Sequence, residues 1–190
     1  MAGHGVCPWW VGWFLASPFR RLMQAPAPIV APYVHAGMTV LEPGPGMGFF
    51  TLDIARLVGS SGHVIAVDVQ PQMIAGLRRR ARRAGLLDRI DARVVPLTSM
   101  GLDDVKGAID FVFACAVVHE MPGPGRFFNE AAGALKPGAT LLLAEPAAHV
   151  DEAKFTAELD AAAQAGLAIV SHPSISSCRT ALLHKPTAGV

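Results

Sequence analysis

The sequence carries little charge. Of its 190 residues, 16% are charged and 52% are hydrophobic, and the formal net charge is +1. This balance excludes a disordered chain, because disordered chains lack the apolar residues that build a core. The near-neutral charge also excludes a general nucleic-acid binder. The length suits one domain with a substantial buried core.

One basic run interrupts this low charge. Five arginines fall within a predicted helix, namely Arg78, Arg79, Arg80, Arg82 and Arg83. We interpret the run as the solvated face of that helix, and a phosphate-binding patch is the alternative.

Cysteines and long apolar runs are also scarce. The three cysteines, Cys7, Cys115 and Cys178, are odd in number and have no short paired spacing. They do not suit a disulfide framework and favour a reducing, cytoplasmic location. The apolar stretch near residues 6–19 is interrupted by prolines, is too short for a bilayer and lacks the pattern of a secretion signal. We therefore expect no transmembrane segment.

From residue 37 onward, short apolar runs alternate with segments of helical spacing. The predicted strands cover residues 38–42, 63–67, 90–95, 110–118, 140–144, 168–172 and 179–185. The predicted helices cover residues 49–58, 72–84, 127–135 and 152–165. This alternation implies right-handed crossovers and a parallel sheet, and the last two strands suggest a closing antiparallel hairpin. We predict an α/β, Rossmann-like three-layer sandwich with a mostly parallel seven-stranded sheet and a C-terminal antiparallel strand.

The loop after the first strand is the most informative segment. Residues 42–48 follow the pattern Glu-x-Gly-x-Gly-x-Gly, which lets the backbone approach a ligand closely. Glu42 would repel a pyrophosphate but favour a ligand that carries an ammonium and a sulfonium. Asp68 closes the second strand, where its carboxylate can hold both hydroxyls of a ribose. A glycine turn with incidental acids and a nicotinamide dehydrogenase are the disfavoured alternatives.

On these motifs, residues 37–185 resemble the class I S-adenosylmethionine-dependent methyltransferases, particularly the broad group that includes quinone-biosynthesis C-methyltransferases. Residues 109–111 leading into residues 118–120, and residues 135–138 before the fifth strand, add to the resemblance. It implies S-adenosylmethionine as the cofactor. It also implies the following cofactor-binding residues: Glu42, Gly44, Pro45, Gly46, Gly48, Asp68, Val69, Leu97, Thr98 and Cys115.

The sequence departs from this family after the third strand. Many relatives have an acidic residue there that receives the adenine amino group, whereas residues 95–99 contain none. We expect Thr98 or a backbone carbonyl to substitute.

The resemblance places the methyl acceptor over the carboxyl ends of the fourth and fifth strands. His119 is the candidate base because imidazole titrates near neutral pH, and a packing or helix-capping role is the alternative. His149 is a weaker candidate, and Glu145 could instead be a buried acid held by backbone amides. His4 and Cys7 offer too few ligands for a metal, so no metal site is predicted.

We divide the chain into an N-terminal aromatic arm or lid, residues 1–36, and an S-adenosylmethionine-binding methyltransferase domain, residues 37–190. The arm places aromatic side chains at helical spacing, namely Trp9, Trp10, Trp13 and Phe14. This aromatic face could pack on the sheet, cover an apolar acceptor, or contact a membrane surface together with Arg20 and Arg21.

The sequence thus predicts a methyltransferase that acts on a small acceptor. An aromatic arm that covers the acceptor would favour an apolar one. The chain has little room for an inserted recognition domain and no basic groove, so nucleic acid is not an expected partner. A non-catalytic S-adenosylmethionine-binding or regulatory protein with the same fold is the alternative. The oligomeric state is left open.

Overall fold

The computed structural model describes residues 26–187, which divide into a first unit up to Val95 and a second unit from Pro96. The tryptophans and Phe14 of the predicted arm lie outside the described residues, as do His4 and Cys7. The boundary between residues 36 and 37 stays a prediction. No helix within residues 26–187 is long and apolar enough to cross a bilayer.

The first unit contains three parallel strands in the order β3-β2-β1. Its elements are α1 (Ala27–Val30), β1 (Thr39–Pro43), α2 (Thr51–Leu57), β2 (His63–Asp68), α3 (Pro71–Arg83) and β3 (Ile90–Val94). Helix α3 begins with Pro71, whose fixed φ suits the first helical position, and ends before Gly85, which has a φ of +66°. Met73, Ile74 and Leu77 form its buried face.

The second unit contains four strands in the order β4-β5-β7-β6. Its elements are β4 (Ile109–Cys115), α4 (Pro124–Ala134), β5 (Leu135–Pro146), α5 (Glu152–Gln164), β6 (Ala168–Ser171) and β7 (Cys178–His184). Strands β4 and β5 are parallel, whereas β7 is antiparallel to both β5 and β6. The last strand in sequence therefore lies between two strands that precede it.

The predicted fold class is confirmed: the seven strands form a mostly parallel sheet with an antiparallel C-terminal strand. Three boundaries were wrong by three residues or more. Helix α4 begins at Pro124 instead of residue 127, because proline suits the first turn of a helix. Strand β4 ends at Cys115 instead of residue 118, because Ala116 has a φ of +54° and turns the chain into a 3₁₀ turn, Val118–Glu120. Strand β5 starts at Leu135, earlier than predicted, because Leu135 already pairs with Ile109 of β4, before the irregularity that precedes the pair of Phe111 and Thr140.

Candidate functional site

The glycine loop follows β1 in the first unit. Gly44, Gly46 and Gly48 all have a positive φ, at 65°, 54° and 84°, a region that side chains with a Cβ rarely adopt. A Cβ on Gly48 would lie 2.5 Å from the Leu77 side chain, so this glycine permits close packing against α3. A Cβ on Gly46 would meet no atom within 4 Å. Gly46 therefore faces open space that a ligand could fill.

Two hydrogen bonds fix this loop. The Gly44 amide donates to the Val67 carbonyl at 2.9 Å, which ties the loop to the end of β2. The Arg80 guanidinium donates to the Met47 carbonyl at 2.6 Å. The interpretation of the arginine run as a solvated face is therefore wrong for Arg80, because the glycine loop offers it a carbonyl. Sequence reasoning missed this role, since the two partners are far apart in the chain.

Asp68 lies at the tip of β2 and is 9% exposed. Its carboxylate accepts a hydrogen bond from the Gln70 amide at 2.8 Å, and its backbone carbonyl accepts one from the Val95 amide at 3.0 Å. The next residue, Val69, is half-buried. These contacts hold the carboxylate where a strand ends, which is the position predicted for the ribose-binding acid.

Glu42 is only 3% exposed, and its Oε2 atom has no hydrogen-bond partner. Burial raises the pKa of this carboxyl to about 8, while the nearby hydroxyl of Thr51 lowers it in part. A buried carboxyl with an unpartnered oxygen can hold a ligand cation, whose charge would favour the ionised form. The first unit therefore fits a ligand that carries an ammonium and a ribose.

The other predicted cofactor residues have mixed environments. Pro45 is buried, and Cys115, the last residue of β4, is half-buried. Leu97 is 57% exposed, and Thr98 is exposed as well. The Thr98 carbonyl accepts a hydrogen bond from Arg126 at 3.0 Å, so it already has one donor. An adenine contact from this segment stays a prediction.

In the second unit, Glu145 and His119 form a hydrogen-bonded pair. The fully buried Glu145 carboxylate accepts hydrogen bonds from the amides of Val117, at 3.3 Å, and Val118, at 2.8 Å, and contacts Nδ1 of His119. The suggestion that backbone amides hold Glu145 thus agrees with the structure. The His119 ring is thus held by a carboxylate and is partly exposed.

The Glu145 contact determines the chemistry open to His119. The hydrogen bond to Glu145 is the main cause that raises the pKa of His119, whereas desolvation by burial lowers this pKa. The charges of Glu145, Glu120 and Glu158 raise it further. If Nδ1 carries the proton shared with Glu145, the Nε2 lone pair is the one that can accept a proton. The pair has the arrangement of a base and the carboxylate that orients it.

Two further residues stand near this pair. The rings of His119 and His149 lie 5.5 Å apart between centroids. Glu158 of α5 is 5% exposed and interacts electrostatically with both Glu145 and His119. Sequence reasoning missed Glu158, although its spacing from the buried Phe155 and Ala162 places it on the apolar face of the helix.

Comparison with known proteins identifies the family. A family model described as "Methyltransferase domain" matches residues 34–181. The chain belongs to this family. The predicted resemblance to S-adenosylmethionine-dependent methyltransferases and the predicted enzyme class are confirmed at the level of the family, and the cofactor of this family is S-adenosylmethionine.

Individual relatives are distant. An arsenite methyltransferase of Halobacterium salinarum is 29% identical over 57% of this chain and 27% of its own length. A ubiquinone/menaquinone biosynthesis C-methyltransferase of Pasteurella multocida is 29% identical over 59% of this chain and 41% of its own length. The chain thus spans less than half the length of these curated relatives, and their acceptors differ.

Among solved structures, an S-adenosylmethionine-dependent methyltransferase from Aquifex aeolicus has the same fold, with a TM-score of 0.82. It is 22% identical, and the match covers 94% of this chain and 98% of that chain.

Proposed function

We propose that this chain is a methyltransferase that uses S-adenosylmethionine and acts on a small acceptor. The observation that carries the proposal is the arrangement in the first unit, where a buried Glu42 precedes a glycine loop that is hydrogen-bonded to the end of β2, beside Asp68. Family membership supports the same cofactor.

In this proposal the first unit binds the methionine and ribose portions of the cofactor. Glu42 holds the ammonium of the methionine portion, Gly44, Gly46 and Gly48 allow the ligand to approach the backbone, and Asp68 accepts hydrogen bonds from the ribose hydroxyls. Val69 contacts the adenine through apolar atoms, and Pro45 belongs to the glycine loop. Leu97, Thr98 and Cys115, which belong to the second unit, are cofactor residues by the resemblance to the family alone. When bound, S-adenosylmethionine supplies a methyl group on a sulfonium.

Residues of the second unit prepare the acceptor. His119 accepts the proton that the acceptor loses, through Nε2, while Glu145 orients the ring and stabilises the imidazolium that forms. The pKa of His119, raised mainly by its hydrogen bond to Glu145, makes it a stronger base than a free imidazole. Such a base suits an acceptor with a hydroxyl or another group that must be deprotonated.

The acceptor is a small molecule in this proposal, not a nucleic acid. The low net charge supports that choice. Residues 1–36 act as a lid in this proposal, which takes its support from the aromatic residues of the sequence alone. A cytoplasmic location follows from the cysteine usage of the sequence. By their names, one relative is an arsenite methyltransferase and the other is a C-methyltransferase of ubiquinone/menaquinone biosynthesis. Arsenite and quinone-type compounds therefore belong in a screen of acceptors.

Calorimetric titration with S-adenosylmethionine, S-adenosylhomocysteine and NAD tests the cofactor assignment. We expect the two adenosyl compounds to bind, NAD not to bind, and Asp68→Ala to lose the binding. Release of S-adenosylhomocysteine in the presence of candidate acceptors then tests catalysis. Binding without turnover of any acceptor would favour the non-catalytic alternative, and tight NAD binding would refute the proposal.

A further inference from the structure

Two buried oxygens of the first unit lack a hydrogen-bond partner within the protein, and in the chain they flank the glycine loop. The polar side chains buried within residues 26–95 are those of Glu42, Thr51, Asp53 and Asp68. Asp53 and Asp68 each accept a hydrogen bond, whereas Glu42 Oε2 and Thr51 Oγ1 have no partner. An unpartnered buried oxygen is costly, and a bound group that donates to it would remove the cost.

The Thr51 hydroxyl lies beside the glycine loop. Thr51 is the first residue of α2 and is fully buried. Its Oγ1 atom would lie 3.7 Å from a Cβ on Gly48, the third glycine of the loop. The hydroxyl is also close enough to Glu42 to lower the pKa of that carboxyl, although neither Oγ1 nor Oε2 reaches hydrogen-bonding geometry. Thr51 and Glu42 therefore present two oxygens beside the same loop.

We propose that Thr51 is a cofactor-binding residue: its Oγ1 atom accepts a hydrogen bond from the ammonium of the methionine portion, beside the carboxylate of Glu42. The inference rests on the proposed function, in which Glu42 holds that ammonium, and it adds an uncharged contact. An ammonium carries three N–H donors, so a carboxylate oxygen and a hydroxyl oxygen can be satisfied by the same group.

Calorimetry with two ligands tests the contact. Thr51→Val keeps the shape of the side chain and removes the hydroxyl. We expect its affinity for S-adenosylhomocysteine to fall about tenfold or more, because a hydrogen bond to a charged group is lost. Methylthioadenosine has no ammonium, so its affinity should stay the same, and Thr51→Ser should restore the binding of S-adenosylhomocysteine. Unchanged binding of S-adenosylhomocysteine by folded Thr51→Val would overturn the proposal, as would an equal loss for both ligands.

A second background separates a direct contact from an effect on Glu42. Gln cannot titrate, so in Glu42→Gln the hydroxyl no longer acts through the charge of residue 42. We expect Thr51→Val to weaken the binding of S-adenosylhomocysteine in this background as well. If the double variant bound as well as Glu42→Gln alone, Thr51 would act only through Glu42, and the proposal would be wrong.

Stability without any ligand provides an independent test. Because Thr51 Oγ1 has no partner within the protein, Thr51→Val should unfold at the same urea concentration as the unmodified chain or at a higher one. The matched control is Thr180→Val, since Thr180 is also buried but its hydroxyl donates to the Pro173 carbonyl. This control should unfold at a lower concentration. An equal decrease in both variants would overturn the proposal.

The two proposals fail in different ways. If the unmodified protein binds neither S-adenosylmethionine nor S-adenosylhomocysteine, the proposed function is refuted. If it binds them and Thr51→Val binds them equally well, only the assignment of Thr51 is refuted.

Discussion

The amide of Gly44 donates a hydrogen bond to the carbonyl of Val67, so a protein contact holds the glycine loop and the end of β2 together. Asp68 follows Val67 directly, and Gly46 lies within the same loop with open space where a Cβ would point. Because a protein contact fixes the loop and a separate open space lies at Gly46, stability and ligand binding can be tested separately.

Gly46→Ala should weaken binding of S-adenosylhomocysteine at least tenfold, whereas Gly85→Ala should leave it unchanged. Both glycines have a positive φ, at 54° and 66°, and a Cβ on either would meet no protein atom within 4 Å. The two variants should therefore lose a similar free energy of unfolding, about 1–2 kcal/mol. Chemical denaturation and calorimetry measure the two quantities. Equal binding by both variants would contradict the placement of the ligand at Gly46.

The affinity for S-adenosylhomocysteine should increase as the pH rises from 6 to 7.5. The pKa of Glu42 is raised to about 8, so the free protein holds a proton there that a ligand ammonium would displace. The gain should approach about tenfold per pH unit at most. Calorimetry at several pH values measures it, and Glu42→Gln should bind more weakly and with a flatter pH dependence.

A ligand control is available for the same experiment. Methylthioadenosine keeps the ribose and adenine but lacks the ammonium, so its affinity should not follow the titration of Glu42. A parallel pH dependence for both ligands would show that Glu42 does not contact the ammonium.

Glu145→Gln should lower the pKa of His119 toward its ordinary value of 6.5, because the hydrogen bond to a carboxylate is the main cause of the increase. A raised pKa means that the His119–Glu145 pair stabilises the fold fully below pH 6.5, and that this contribution is lost as the pH rises through the pKa of His119. The variant should thus be less stable by about 1–3 kcal/mol at pH 5.5 and by less at pH 9.

Urea denaturation at the two pH values measures that difference. Glu120→Gln is the control, because Glu120 acts on His119 through charge alone and more weakly. A loss of stability that is the same at both pH values would mean that Glu145 stabilises the fold only by accepting hydrogen bonds from the amides of Val117 and Val118.

Ala116→Gly should leave the free energy of unfolding unchanged or raise it by up to about 1 kcal/mol, because glycine adopts a positive φ without strain. The exposed Ala157 within α5 is the matched control, and Ala157→Gly should cost about 1 kcal/mol. Thermal melts compare the two. A similar loss in both variants would show that Ala116 is not strained.

The sequence was sufficient to predict the elements that repeat a simple pattern. The buried strand before the glycine loop, the loop itself and Asp68 were predicted because their residue types and spacing follow from local geometry. The left-handed backbone of Ala116 was not predicted, since alanine gives no signal for it, and the end of strand β4 was therefore predicted three residues too late.

The site residues that escaped prediction depend on contacts between distant segments. Arg80 appeared as one of five similar arginines, and only the folded chain shows which of them reaches the Met47 carbonyl. Glu158 looked like an ordinary helix residue, and its electrostatic interactions are with Glu145 and His119, which come from other segments. The individual cofactor contacts and the role of His119 stay predictions.

The position of β7 between β5 and β6 has a consequence for a shortened chain. Strand β6 precedes β7 in the sequence, and β7 is its hydrogen-bonded neighbour in the second unit. A chain truncated before Cys178 therefore leaves β6 without this neighbour and leaves β5 without the strand that pairs with it on the same side. Unpaired strand edges can pair with another chain, so such a truncation should aggregate.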